Sequence, residues 1–396
     1  MTTRLYYDNA YLTAFDAQVT SCEPTQAGYD IRLDQSAFYP TSGGQPFDTG
    51  TIDSAHVLNV EVVSGDVSHI TDQPLPVGGT VHCEIDWPRR FDHMQQHAAD
   101  HMIAGTIWHM FKGVTIGLHE SDEVSTIDIA MPDGRTHLTS DEIARVERHV
   151  NDQIQRDVPI RCWFPDAAEL ETLPLRKKPT VSEHIRVVAI GDEEMVACGG
   201  THPSSAGQLG LVKILFTAPA GGKMRLGFIA GNRALRDYNA CSNAAHAAAE
   251  LFSTRIENLE SSVRSLQERL HQTEKELNDL REAALMQALE ADLESAPQVA
   301  GGRLVVRFAD VNPQTLRNCA SALIEKGGVI ALLGAMNGER ANFLFARSKD
   351  VSCDMGALLR AAAVPLGGKG GGKPDFAQGG GPKEVLERAK ELLYEM

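Results

Sequence analysis

No run of the sequence approaches the roughly twenty consecutive apolar residues that cross a bilayer, which excludes a membrane-spanning helix. The first residues, Met1-Thr2-Thr3-Arg4-Leu5-Tyr6-Tyr7-Asp8, lack the basic-then-apolar order of a secretory signal. Cysteine is sparse and scattered, seven residues at 22, 83, 162, 198, 241, 319 and 353, which argues against a disulfide framework. A reducing, cytoplasmic setting is the expectation. Basic charge is also short, with 37 Lys and Arg against 53 Asp and Glu, a net of −16 in 396 residues. That deficit speaks against broad electrostatic attraction to nucleic acid, because phosphate contacts draw on clustered Lys and Arg. It is uneven, however: 19 basic against 32 acidic residues in 1–249, 5 against 11 in 250–297, and 13 against 10 in 298–396. Long-range attraction to RNA is expected to start in the last segment.

Two short patterns stand out from this background. His97-Ala-Ala-Asp-His101 and Cys198-Gly-Gly-Thr-His202 each pair two metal-ligating residues four apart, a spacing that brings both side chains to one side of a helix or tight turn. Together they offer one thiolate and three imidazoles, a set that suits zinc better than magnesium or calcium. The bland readings are a solvated or core-packed histidine pair and a small buried cysteine. His93 repeats the same spacing to His97 and blurs the register. Gly199-Gly200 favours the metal reading, since a backbone free to fold tightly lets Cys198 and His202 turn to one point.

The length predicts two or three domains of α+β class. Residues 1–90 read as β-rich, with alternating runs such as Tyr29–Leu33 and Val57–Val63. A helix over about 92–111 carries the histidines, and a second over 139–156 opens on a Thr139-Ser140-Asp141-Glu142 cap. Strands are expected near 185–190, 194–198, 210–217 and 224–230, making 91–238 an α+β metal-bearing domain. Over 239–296 the texture changes. Phe252, Ile256, Leu259, Val263, Leu266, Leu270, Thr273, Leu277, Leu280 and Ala284 alternate steps of four and three, predicting a helical, coiled-coil-like arm, either a coiled coil with an uninterrupted helix over 252–284 or a long helical hairpin. An intrachain packing and a homodimer both fit that pattern. Residues 297–396 alternate strand and helix as a small α/β domain. It contains the glycine block 367–381, where backbone could approach phosphates beside Lys369 and Lys373, with a solvated loop as the alternative.

Phe38-Tyr-Pro-Thr-Ser-Gly-Gly-Gln-Pro-Phe-Asp48, the His97/His101 pair and the Cys198/His202 pair resemble, in order, the three signature blocks of the editing domain of alanyl-tRNA synthetases and their free-standing AlaX-type relatives. The glycine block with its Lys-Pro-Asp-Phe-Ala-Gln core is similar to the DHH-associated C-terminal domain of the same synthetases. With the chain opening directly into the editing region, the resemblance is to the long AlaX form without an aminoacylation domain. It implies an aminoacyl-tRNA deacylase that hydrolyses the 3′ ester of mischarged alanine tRNA, with serine foremost and glycine second. Such a second hydrolytic site is chemically useful because size selection alone discriminates poorly against small side chains.

The resemblance further implies one Zn2+ per chain held by His97, His101, Cys198 and His202. By the same resemblance Gln45 and Thr41 are the candidate catalytic residues, Thr41 to recognise the serine hydroxyl and Gln45 beside the metal, and Arg225, Lys369 and Lys373 would contact tRNA. Asp100 is a candidate to orient a ligand histidine. Whether four protein ligands leave the ion catalytic or structural stays open. Two other readings remain: a zinc-stabilised tRNA-binding or RNA-binding module without turnover, and a phosphoesterase. The second is disfavoured because Asp92-His93-Met94 and Asp100-His101-Met102 both fail the Asp-His-His motif.

Overall fold

In the computed structural model, which describes residues 1–179, 184–337 and 340–396, the chain folds as two compact units, Met1–Ala245 and His246–Met396. Both mix helix and sheet, as the α+β expectation requires.

The first unit opens with a closed six-stranded antiparallel barrel in the order Ala14–Thr25, Gly28–Leu33, Asp66–Thr71, Ala55–Val63, Gly50–Ile52, Thr80–Ile85. Its strands follow the period-two rule: in Thr80–Ile85 every second residue (Val81, Cys83, Ile85) is buried. Val19, Ile31, Leu33, Ile52, Val60 and Val67 complete an apolar barrel interior. The ligand helix, Trp87–Phe111, leaves the barrel directly. Asp86 caps it by accepting from the Arg89 amide, and Pro88 sits in its first turn, where a missing N–H costs nothing. Lys112 ends it in a left-handed conformation.

A four-stranded antiparallel sheet, Val212–Ala220, Lys223–Ala230, Ser125–Ala130, Val114–His119, and a three-stranded one, Ile160–Trp163, Val187–Ile190, Glu194–Ala197, complete the unit's sheets around that helix. Ala98, Met102, Ile103 and Ile107 of the helix share one core with Ile127, Ile129, Val188 and Phe228 of these sheets. The helix Ser140–Gln155 adds Val146, Val150 and Ile154. Its start is the predicted one. The Thr139 hydroxyl accepts from the Glu142 amide while the Glu142 carboxylate accepts from the Thr139 amide, a reciprocal capping box.

The predicted arm differs from an uninterrupted helix over 252–284. Helix Asn232–Leu251 ends before the heptad run, Ser253 takes a left-handed φ of 51°, and a second helix, Leu259–Glu294, begins after a 3₁₀ turn at Ile256–Asn258. Phe252 and Ile256, the first two seam positions, therefore lie in the interruption. Along Leu259–Glu294 the seam residues Leu266, Leu270, Leu277 and Leu280 are exposed. Leu285, Leu289 and Leu293 are instead buried against Leu316, Ala320 and Leu323 of helix Pro313–Ile324.

The C-terminal sheet is six-stranded and mixed, with Gly302–Ala309 and Val329–Asn337 parallel and the remaining pairs antiparallel. The glycine block is part of it, folded as a hairpin of Lys369–Gly372 and Phe376–Gly381. Close packing accounts for the missing side chains at Gly368, Gly370, Gly372, Gly379 and Gly381, though not at Gly367, Gly371 or Gly380. A Cβ on Gly379 would fall 2.6 Å from the Lys369 carbonyl oxygen, and one on Gly370 would fall 2.7 Å from Leu359.

Candidate metal centre

His97 and His101 lie one turn apart on the buried face of the ligand helix, their ring centroids 5.2 Å apart. Cys198 and His202 follow the strand Glu194–Ala197, whose partner strand and the Arg186 guanidinium fix the loop: Arg186 Nη1 donates to the carbonyls of Cys198 (3.2 Å) and Gly200 (2.7 Å). The two couples meet. One ligand atom from each of the four residues lies within 4.8 Å of the other three. Cys198 Sγ is 3.3 Å from His97 Nε2 and 3.5 Å from His202 Nε2.

The barrel supplies the third side. In the turn Ser42–Gln45 the two end residues exchange backbone hydrogen bonds, with Gly43 and Gly44 at positive φ (59° and 93°). Gly44 also packs where a Cβ would come 2.7 Å from the Leu118 carbonyl oxygen. The turn delivers Gln45, which is fully buried. Its Oε1 accepts from His97 Nδ1 (2.9 Å) and the Thr201 amide (3.0 Å), and its Nε2 donates to Thr201 Oγ1 (2.7 Å). An Nδ1–H directed at Gln45 leaves the His97 Nε2 lone pair facing the thiol, the tautomer a metal ligand needs. Gln45 is thus a positioning residue that ties one ligand couple to the other.

The electrostatics suit a cation. Burial pushes the Cys198 thiol up to about 12 and His97 down to about 3, and it holds His101 and His202 well below the usual imidazole range. All three imidazoles are therefore neutral donors, and a thiol in that setting ionises beside a metal. The His97 and His202 rings turn Nε2 to the Cys198 sulfur, 3.3 and 3.5 Å away, the arrangement a shared ion would occupy. The donor set fits zinc.

Gly200 has a role other than the expected backbone freedom. Neither Gly199 nor Gly200 is among the positive-φ glycines; instead a Cβ on Gly200 would fall 2.3 Å from His97 Cε1. Space, not conformation, requires glycine there.

A cleft of about 990 Å3 opens beside the ligands. Its wall includes His97, His101, Cys198, Asp100, Tyr7, Tyr39, Phe164, Ser42 and Gly43, with the cations Arg4, Arg176, Lys177 and Arg186. Arg176 is already held by Glu194 through contacts of 2.7–3.0 Å. Behind His97, on the side away from Cys198, the buried Glu120 carboxylate lies 3.4 Å from His97 Nδ1 and 3.5 Å from His93 Nδ1.

The other sequence-predicted residues are distributed differently. Thr41 is exposed and is not on the cleft wall, where its neighbours Ser42 and Gly43 are; its amide donates to the Val60 carbonyl. Arg225 is engaged in a two-pronged pair with Asp128 (2.7 and 2.9 Å) across adjacent strands and does not line the cleft. Lys369 and Lys373 are exposed in the second unit. Asp100 stands on the wall but, among the described residues, has no histidine nitrogen within 4.0 Å, so it orients no ligand ring. Glu120, Arg176 and Arg186 escaped the sequence reading. Each is a single charged residue in a loop or at a strand end, with no spacing pattern to mark it.

Comparison with known proteins agrees with this picture. Residues 185–228 match the threonyl and alanyl tRNA synthetase second additional domain, and residues 301–396 match the DHHA1 domain. The chain is 32% identical over 99% of its length to the alanine–tRNA ligase of Halorubrum lacusprofundi, and 32% over its full length to that of Natronomonas pharaonis. To the Methanoregula boonei enzyme it is 33% identical over 96%. It spans 44, 44 and 42% of those relatives, less than half of each. The crystal structure of the C-Ala domain from Aquifex aeolicus alanyl-tRNA synthetase is 30% identical, covering 25% of this chain and 95% of that one at a TM-score of 0.24.

Proposed function

We propose that this chain, an AlaX-like relative of the editing and C-terminal regions of alanine–tRNA ligases, is a trans-editing deacylase. It hydrolyses the 3′ ester of alanine tRNA carrying serine, with glycine as a second substrate. The observation that carries this reading is the convergence of His97, His101, Cys198 and His202, the first three of them on the wall of a cleft large enough for an aminoacylated terminal nucleoside. A zinc ion held by these four residues would supply fixed positive charge where the ester's oxygen gains negative charge. The chain's own groups bind and orient. Tyr7 and Phe164 offer ring faces to the terminal base, and Arg4 and Lys177 offer charge to its phosphate. Reading of the side-chain hydroxyl is assigned to Ser42, which lines the cleft, rather than to Thr41, which does not. Water adds to the ester carbonyl, and the products are the free amino acid and the tRNA 3′ hydroxyl. Contacts to the tRNA body are assigned to the second unit, with Lys369 and Lys373 exposed on its hairpin.

The test is to mix the full chain with seryl- and alanyl-esters of the same alanine tRNA and follow amino-acid release. Release of serine well ahead of alanine is expected. A second reading is favoured by the ligand count, since four protein ligands leave no open position and normally mark a structural ion. Under it the chain is a zinc-stabilised tRNA-binding module, and hydrolysis of neither ester would put that reading first.

A further inference from the structure

Asp100 stands on the cleft wall as a buried carboxylate, 6% exposed, whose Oδ1 is without a hydrogen-bond partner. Among the described residues, no Lys, Arg or His nitrogen lies within 4.0 Å of its carboxylate, whereas two other buried carboxylates of this unit are matched. Asp48 is paired with Arg90, and Glu194 with Arg176. A buried polar oxygen left without a donor is costly and is retained where something else supplies that donor. Glu120 is also short of partners, but it sits behind His93 and His97 rather than on the cleft. Among the described residues, Asp100 alone combines an unmatched carboxylate with a place on the cleft wall, one helical turn from His97 and next to His101.

We infer that Asp100 binds the α-ammonium group of the aminoacyl ester. The inference rests on the deacylase reading for the identity of the ligand. Every aminoacyl ester carries this cation at its reactive end, an uncharged or acetylated ester does not, and a carboxylate is the side chain that accepts its N–H groups. The contact is common to serine, glycine and alanine. Asp100 therefore selects aminoacyl esters as a class and anchors the carbonyl beside the ligand set, while discrimination among side chains is made elsewhere on the wall.

Two measurements on the full, zinc-loaded chain test this. The first needs no variant: binding of 3′-seryl-amino-3′-deoxyadenosine, a non-hydrolysable amide, is compared with its analogue bearing a neutral hydroxyl for the α-amino group. A charge-assisted hydrogen bond lost to a neutral group predicts about 10- to 100-fold weaker binding of the hydroxy analogue. Equal binding of the two overturns the inference. The second compares seryl-tRNA with its α-hydroxy counterpart as substrates for wild type and Asp100→Asn, with zinc content measured alongside. The variant is expected to raise KM for seryl-tRNA and to shrink the preference for the ammonium substrate to within about threefold, with the serine-to-alanine ratio unchanged. An Asp100→Asn chain that keeps the wild-type preference overturns the inference while deacylation stands. A wild type that hydrolyses neither ester but still prefers the ammonium amide overturns the deacylase reading and leaves Asp100 its ligand.

Discussion

Replacing Gln45 by leucine should damage the metal centre without touching a ligand. The side chain is fully buried and makes three hydrogen bonds, to His97 Nδ1, the Thr201 amide and Thr201 Oγ1. Leucine fills nearly the same volume but accepts nothing. The Thr201 N–H would stay buried and unpaired, at about 1–3 kcal/mol, and the His97 Nδ1–H would be left with only the Glu120 carboxylate 3.4 Å away. His97 would also lose the contact that holds its ring and tautomer, a loss that ordinarily weakens metal affinity about 10- to 100-fold. Urea unfolding of the zinc-loaded chain reads the first quantity, and competition against a chromophoric chelator reads the second. Thr201→Val is the control: it removes only the Nε2–Oγ1 contact and leaves His97 its acceptor, so zinc affinity should move less than about threefold. The reasoning is refuted if Gln45→Leu binds zinc within threefold of wild type, or if Thr201→Val weakens zinc as much as Gln45→Leu does.

Gly200→Ala would place a Cβ 2.3 Å from His97 Cε1, whereas Gly199→Ala meets only Tyr7 Oη at 3.5 Å; the first should weaken zinc by at least about tenfold and the second should not, in the same chelator competition. Asp48→Ala strips the counter-charge from Arg90, whose side chain is wholly buried, and is expected to cost about 3–5 kcal/mol in urea unfolding; a loss under 1 kcal/mol would contradict the pairing. His69 is buried in the barrel between Ser36 Oγ and the Ile31 carbonyl, and burial pushes it down to about 4. Because the unfolded chain takes up the proton more readily, stability present above pH 6.5 should fall by about 3 kcal/mol between pH 6.5 and 4 from this group. A His69→Asn chain should show a flatter slope over that window, and an unchanged slope would remove His69 from the account. Charge reversal of Lys369 and Lys373 together should weaken binding of alanine tRNA several-fold while leaving release of serine from seryl-adenosine unchanged; unaltered tRNA affinity would place the RNA contacts elsewhere.

What could be read in advance was what depends on neighbours in sequence. The Thr139–Glu142 box, the alternation of Thr80–Ile85 and the four-residue spacings of the ligands are all local, and each was legible. What could not be read depends on which surfaces meet. Nothing between 240 and 294 signals a stop, since no Gly or Pro occurs there, yet Ser253 turns left-handed and splits the helix. The same heptad that predicts one continuous seam ends up in two settings, exposed at Leu266–Leu280 and buried at Leu285–Leu293 where another helix covers it. The glycines of 367–381 looked like backbone freed for a ligand, but at Gly368, Gly370, Gly372, Gly379 and Gly381 strand and helix packing uses the space. Helix Met355–Ala363, capped by Asp354, went unmarked because its apolar run Met-Gly-Ala-Leu-Leu is too short to show a period.

The candidate centre depends on three segments that have no reason to meet except the fold. The barrel turn contributes Gln45, the helix His97 and His101, and the strand-end loop Cys198 and His202. Each junction is fastened by a buried polar contact. Arg90, in the first turns of the ligand helix, is held by Asp48 and the Ala10 and Ala37 carbonyls of the barrel side, while Arg186 holds the loop and Gln45 closes the triangle. Such contacts contribute little net stability but are costly to break, so they act chiefly as registers that forbid near-miss packings. Ligand geometry must hold to a few tenths of an ångström, and a purely apolar core tolerates shifts larger than that. The buried charges at 48, 90 and 186 are therefore best understood as fixing where the four ligands point, with stability a secondary consequence.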